Sequence, residues 1–187
     1  MYETGDFKKG LRMMVEGSPY QIIDFQHVKP GKGNQFSRTK MRNLLTGQLL
    51  ERTFKSGERF EVPDVQNIEM SFLYKDDTGF NFMNQENYEQ ICIGEGEIGE
   101  ARNFLTENLK CVILFYNERP VSCDVPKAVN LKVAHTEPGV KGDRVTGATK
   151  HATMETGLVV NVPLHINEGD LLRIDTTESA YVSRVNE

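Results

Sequence analysis

Val28-Lys29-Pro30-Gly31-Lys32-Gly33-Asn34-Gln35-Phe36 is the stretch that decides the fold of this chain. Pro30, Gly31 and Gly33 stand between two strand-like runs, and breakers in that setting predict the tip of a β-hairpin. Upstream, residues 20–28 are rich in Ile, Phe and Val; downstream, residues 36–45 alternate Phe36, Arg38, Lys40 and Arg42 with Ser37, Thr39, Met41 and Asn43. Proline stiffens the turn and removes a donor, while glycine accepts backbone angles closed to other residues and adds no bulk. Gly and Pro punctuate most turns, so Gly-Lys-Gly alone is an ordinary solvated tip. The surrounding charge is what distinguishes this one. Residues 25–50 contain no Asp or Glu, yet they hold Lys29, Lys32, Arg38, Lys40 and Arg42. A cationic stretch in a chain of net charge −5 is the footprint expected of a phosphate-binding surface.

The same imbalance extends over the whole chain. Residues 1–64 carry 11 basic and 8 acidic side chains, residues 65–127 carry 5 and 11, and residues 128–187 carry 6 and 8. A basic first third therefore makes the closest nucleic-acid contact, and the acidic middle third avoids phosphate or meets a basic protein. No apolar run approaches the ~20 residues that span a bilayer. The first residues, Met1 to Asp6, lack the charged and apolar regions of a signal peptide. Cys92, Cys111 and Cys123 are odd in number and lack metal-type spacing, so reduced core thiols in a cytoplasmic protein are expected.

Strands are predicted at residues 11–16, 20–28, 36–45 and 48–55, with turns at Gly17-Ser18-Pro19, Thr46-Gly47 and Ser56-Gly57. Several short strands in so few residues predict a small barrel, closed by Val62-Pro63-Asp64. The middle segment reads as strands at 65–74 and 80–83 around Asp76-Asp77-Thr78-Gly79, then a last hairpin at 111–116 and 121–125. Between them Ile98, Ala101, Phe104, Leu105 and Leu109 recur at helical spacing, predicting one helix over about 97–108. The last segment reads as strands at 129–136, 158–163, 171–176 and 181–185, with a long loop over 137–152. Loops of that length are usually functional or disordered, and Lys141, Gly142, Asp143 and Arg144 suit backbone contact with a polymer. The mainly all-β class thus divides into domains 1–64, 65–127 and 128–187, the last two resembling five-stranded Greek-key barrels.

No recognised catalytic motif is present. Gly31-Lys32-Gly33 lacks the spacing and the following Ser/Thr of a phosphate loop. His27, His135, His151 and His165 are scattered without ligand spacing. Lys32 as a Schiff-base nucleophile needs a desolvated pocket, which a glycine-flanked tip does not supply. The chain is therefore expected not to be an enzyme, with no catalytic residue, metal or cofactor, and to act as a monomer.

Over its whole length the chain resembles bacterial elongation factor P. The resemblance rests on Lys29-Pro30-Gly31-Lys32-Gly33 with Phe36 and Arg38, Asn43-Leu44-Leu45-Thr46-Gly47 and Thr53-Phe54-Lys55-Ser56-Gly57. Further along it rests on Glu137-Pro138-Gly139-Val140-Lys141-Gly142-Asp143, Val160-Asn161-Val162-Pro163 and Tyr181-Val182-Ser183-Arg184. It implies an L-shaped tRNA mimic: an SH3-like (KOW-like) barrel, then two OB-folds, with one short helix in the middle domain. It also implies a translation elongation factor that binds the ribosome, both rRNA and ribosomal proteins, between the P and E sites. There it would position P-site peptidyl-tRNA and relieve stalling at consecutive prolines. Lys32 would be the lysine that a modifying enzyme extends, Lys29 to Gly33 the peptidyl-tRNA-proximal loop, and Arg38, Lys40, Arg42, Tyr181 and Arg184 the tRNA or rRNA contacts. Gly142, Asp143 and Arg144 would form the E-site loop; where the family often has Gly-Asp-Thr, Arg144 offers a guanidinium suited to phosphate. A lysine at the tip argues against the rhamnosylated subfamily, and leaves a β-lysyl-type extension, an aminopentanol-type extension or none. The competing reading is a generic single-stranded nucleic-acid-binding OB-fold module. It would retain free oligonucleotides on a filter, and the acidic residues 65–127 count against it.

Overall fold

The computed structural model describes residues 1–139 and 147–186. Its secondary structure is almost entirely strand. The chain divides into two compact units, one of Met1–Val65 with Tyr116–Arg119, the other of Gln66–Phe115 with Pro120–Glu187.

The first unit contains β1 (Tyr2–Glu3), β2 (Arg12–Val15), β3 (Ser18–Val28), β4 (Phe36–Asn43), β5 (Leu49–Lys55) and β6 (Arg59–Phe60). β2 to β5 form an antiparallel meander in chain order, and β1 pairs with β6. The alternation read in β4 is what the sheet uses. Ser37, Thr39, Met41 and Asn43 are buried, and Arg38, Lys40 and Arg42 are exposed. Beneath the sheet Phe7, Leu11, Met13, Val15, Ile22, Met41, Phe54 and Phe60 form one core. The first turn is tighter than expected: Val15 pairs with Ser18, so only Glu16 and Gly17 turn, both at positive φ. Mirror-image two-residue turns of this kind match the twist of their strands, and Ser18 and Pro19 join β3 instead. The two-residue strands β1 and β6 carry too little pattern to be read in sequence.

The second unit opens with β7 (Val65–Asp76), β8 (Gly79–Met83), β9 (Gln90–Ile93) and α1 (Glu95–Ile98), then β10 (Lys110–Tyr116) and β11 (Arg119–Asp124). These strands make a five-stranded sheet in the order β11-β10-β7-β8-β9. The helix expected over 97–108 is cut short. α1 ends at Ile98, a 3-10 turn covers Gly99–Asn103, and Gly99 sits at φ 57°. Gly96 and Gly99 each cost helix about 1 kcal/mol relative to Ala, which a short segment does not recover. The apolar spacing was nevertheless real, because Ile98, Ala101, Phe104 and Leu105 are all buried. β12 (Ala128–Thr136), β13 (Thr149–Met154), β14 (Val159–Pro163), β15 (Leu171–Asp175) and β16 (Ala180–Arg184) build a second five-stranded sheet, β14-β13-β12-β15-β16. The loop expected over 137–152 ends sooner, since Thr149 to Ala152 already pair with β14. Cys111 and Cys123 are buried as expected, but Cys92 is exposed: it stands on the solvent side of β9, one place from the buried Ile93.

Candidate functional site

The β3–β4 ladder fixes the finger. Its pairs run from Tyr20 with Asn43 to Val28 with Phe36, leaving residues 29–35 as the tip and Lys32 at the midpoint. All seven tip residues are exposed. Among the described residues, Lys32 makes no ion pair within 4.0 Å. Its two glycines do different work. Gly33 lies at φ 117°, where a Cβ would come 3.8 Å from the Pro30 ring; Gly31 is not in the left-handed region, and a Cβ there would meet nothing within 4 Å.

The foot of the finger is braced. Ser56 N–H donates to the Gln35 carbonyl at 3.0 Å, carrying the β4–β5 pairing one residue beyond Phe36 and Lys55. His27 Nδ1 lies 2.6 Å from Ser37 Oγ, and Gly57 N–H donates to Thr4 Oγ1 at 3.0 Å. Around these bonds a depression of about 210 Å³ is lined by Thr4, His27, Lys29, Gln35, Ser37 and Ser56 among others. Pairing of His27 with Ser37 follows from a tip centred on Lys32, so the sequence held that signal. The contribution of Thr4, 53 residues from Gly57, had none.

The basic strip on β4 is less uniform than its sequence. Lys40 pairs in register with Asp24 on one side and Glu51 on the other. Both acids lie just outside the stretch 25–50 and return across the sheet. Asp24 also binds Lys9 at 3.1 Å and Glu51 faces Arg38 at 4.0 Å. The hydrogen bond and charge of Lys9 hold the Asp24 carboxyl below its ordinary range, with Lys40 adding a smaller pull. Arg42 stands between Gln21 and Leu49 and has no such acidic neighbour in its row.

Tyr181 and Arg184 belong to the second unit, on β16. Tyr181 is half-buried against the core of its sheet. Arg184 is exposed, with Nη1 3.7 Å from Asp170 Oδ2, an oxygen that also accepts the Asn167 N–H at 2.8 Å. The β15–β16 register shifts between Arg173 and Ile174, with Tyr181 paired to Ile174 and Arg184 to Leu172. Gly142, Asp143 and Arg144 lie outside the described residues. Among the described residues no cluster of three or more His, Cys, Asp or Glu is placed to hold a metal ion, and no helix is long and apolar enough to cross a membrane.

Comparison with known proteins gives the arrangement a context. Residues 3–60 match the Elongation factor P (EF-P) KOW-like domain, residues 65–123 the Elongation factor P (EF-P) OB domain, and residues 129–184 the family described as Elongation factor P, C-terminal. The chain is 74% identical over 187 residues to Elongation factor P from Bdellovibrio bacteriovorus, covering 100% of both chains. It is 47% identical to Elongation factor P from Maridesulfovibrio salexigens, over 98% of this chain and 99% of the other. Among solved structures, a translation initiation factor eif-5a family protein from Naegleria fowleri superposes with a TM-score of 0.54 at 16% identity, covering 65% of this chain and 93% of that one, a likeness of fold.

Proposed function

The chain belongs to the elongation factor P family and is a translation elongation factor, and from that premise we propose that it binds the cytoplasmic ribosome between the P and E sites and relieves stalling at consecutive prolines. Residues 1–64, 65–127 and 128–187 act as its three domains. Lys32 enters beside the acceptor end of the peptidyl-tRNA, with Lys29, Pro30, Gly31 and Gly33 forming the finger that carries it. A modifying enzyme that lengthens Lys32 extends that reach. Arg38, Lys40 and Arg42, and in the second unit Tyr181 and Arg184, hold RNA. Gly142, Asp143 and Arg144 are the proposed E-site contact.

The observation that carries this reading is the setting of Lys32: midpoint of a braced hairpin, exposed, and without an ion-pair partner among the described residues. An ammonium held there interacts with phosphate at little steric cost. Peptide transfer to proline is slow when the reacting groups are badly placed, and holding them in a near-attack geometry lowers a barrier by several kcal/mol without acid–base chemistry. The ribosome makes the bond; the factor aligns what reacts. In a reconstituted translation system, Lys32→Ala is expected to abolish rescue of a proline-run template while weakening ribosome binding only in part. Undiminished rescue by that variant would defeat the proposal.

A further inference from the structure

We infer that Arg12 and Arg42 form an arginine clamp for an RNA phosphate on the outer face of the β2–β5 sheet, separate from the Lys32 finger; the inference rests on the proposed binding to the ribosome. Arg12 pairs in register with Gln21, Gln21 with Arg42, and Arg42 with Leu49. Residues in register share a face of a sheet, so these four make one row across β2 to β5. The row faces solvent: Arg42 and Leu49 are exposed, Arg12 and Gln21 are half-buried, and the adjoining Met13, Ile22 and Met41 are fully buried.

Neighbouring strands lie about 4.8 Å apart. Arg12 and Arg42, two strands apart, are therefore on the order of 10 Å apart at the backbone, a span that two extended arginines close onto one phosphate or two successive ones. Gln21 is a neutral spacer between them, its Nε2 donating to the Gly10 carbonyl at 3.5 Å. Among the described residues neither guanidinium has a carboxylate within 4.0 Å, whereas the neighbouring arginines of β4 and β5, Arg38 and Arg52, face Glu51 at 4.0 Å and Glu16 at 2.6 Å. A planar guanidinium binds phosphate through two parallel hydrogen bonds and gives up its hydration more readily than an ammonium. Arg12 lies 30 residues from Arg42 in sequence, and cross-strand pairing brings the two into one row.

The test is equilibrium binding of the full-length protein to ribosomes carrying P-site tRNA across a salt series, comparing Arg12→Gln, Arg42→Gln and Lys75→Gln. Each arginine variant is expected to bind roughly fivefold more weakly and to reduce the steepness of log K against log salt by about 1. Lys75→Gln, which removes an ammonium already held by Glu95 at 2.6 Å in the second unit, is expected to leave the slope unchanged. Matching thermal midpoints confirm that the variants are folded, and Arg12→Lys retains the slope while losing part of the affinity. Unchanged slopes for both arginine variants, or a Lys75→Gln slope reduced as much as theirs, overturn the clamp while wild-type binding stands. Failure of the wild-type protein to bind ribosomes strikes the proposed function itself. Repeating the series with an empty P site separates a tRNA phosphate, whose effect disappears, from an rRNA phosphate, whose effect persists; either supports the clamp.

Discussion

At the scale of single residues, Lys32 depends on neighbours that leave it alone. The fold does not ask for glycine at position 31, where a Cβ meets nothing, but it does at Gly33, held at φ 117° beside Pro30. Gly33→Ala is expected to strain the tip by about 1–3 kcal/mol, and the strain can be relieved by rearranging the tip alone. Gly31→Ala is expected to leave the isolated protein unchanged. Backbone chemical shifts across residues 29–35 distinguish them: large changes confined to the tip for Gly33→Ala, and minor ones for Gly31→Ala. Equal perturbation by both would refute this division of labour. Lys32→Ala removes an exposed side chain and should change unfolding stability by no more than about 0.5 kcal/mol, so any loss of rescue cannot be charged to misfolding.

At the scale of elements, hairpin turns set the registers, and polar side chains hold the turns. Asp76 is the clearest case: Oδ1 accepts the Thr78 and Gly79 N–H groups at 2.9 and 3.1 Å and the Thr78 hydroxyl at 2.6 Å, while Oδ2 accepts from Asn81 at 3.1 Å. The Thr78 hydroxyl and amide are the main causes that hold this carboxyl below its ordinary value of 3.8; burial opposes them, and Asn81 and the Gly79 N–H add to them. A group with a lowered folded-state pKa contributes its full stability above the unfolded value and loses it as pH falls through the folded one. Urea midpoints measured from pH 6 downward should therefore fall for the wild-type protein below about pH 4, and fall less for Asp76→Asn. Parallel curves would remove Asp76 from the acid response. Glu16 belongs to the same class: its hydrogen bond to Arg52, at 2.6 Å, together with that residue's charge holds its carboxyl low.

At the scale of the molecule, the second unit is more than two sheets in succession. Met70, Phe72, Phe82, Ile98 and Ile113 are among those packing in the core of the first sheet, and Leu131, Val162, Leu172 and Ile174 in that of the second. Phe104, from the segment between β9 and β10, is buried at 2% exposure in the second core, and Leu109 and Val125 pack against both. Thr156 donates its hydroxyl to the Asn103 carbonyl at 2.6 Å. Phe104→Ala should therefore cost about 3–5 kcal/mol and loosen both sheets at once. Native-state hydrogen exchange should show amides of β7–β11 and β12–β16 opening at similarly lowered free energies. Faster exchange in only one sheet would show that the two cores are energetically independent.

What was legible without coordinates was whatever depends on neighbours in sequence. The period-two pattern of β4, the breakers around Lys32 and the apolar spacing from Ile98 to Leu105 all report local geometry, and all correspond to buried and exposed positions as found. The tip of the finger, between Val28 and Phe36, was legible for that reason. Tertiary structure decided what depends on pairing between distant strands. Only the sheet brings Asp24 and Glu51 beside Lys40, sets Arg12 in line with Arg42, lets Thr4 brace the foot of the finger and buries Phe104 in a core that its own segment does not build. Local pattern says which face a side chain occupies; only the register across strands says which charges share that face.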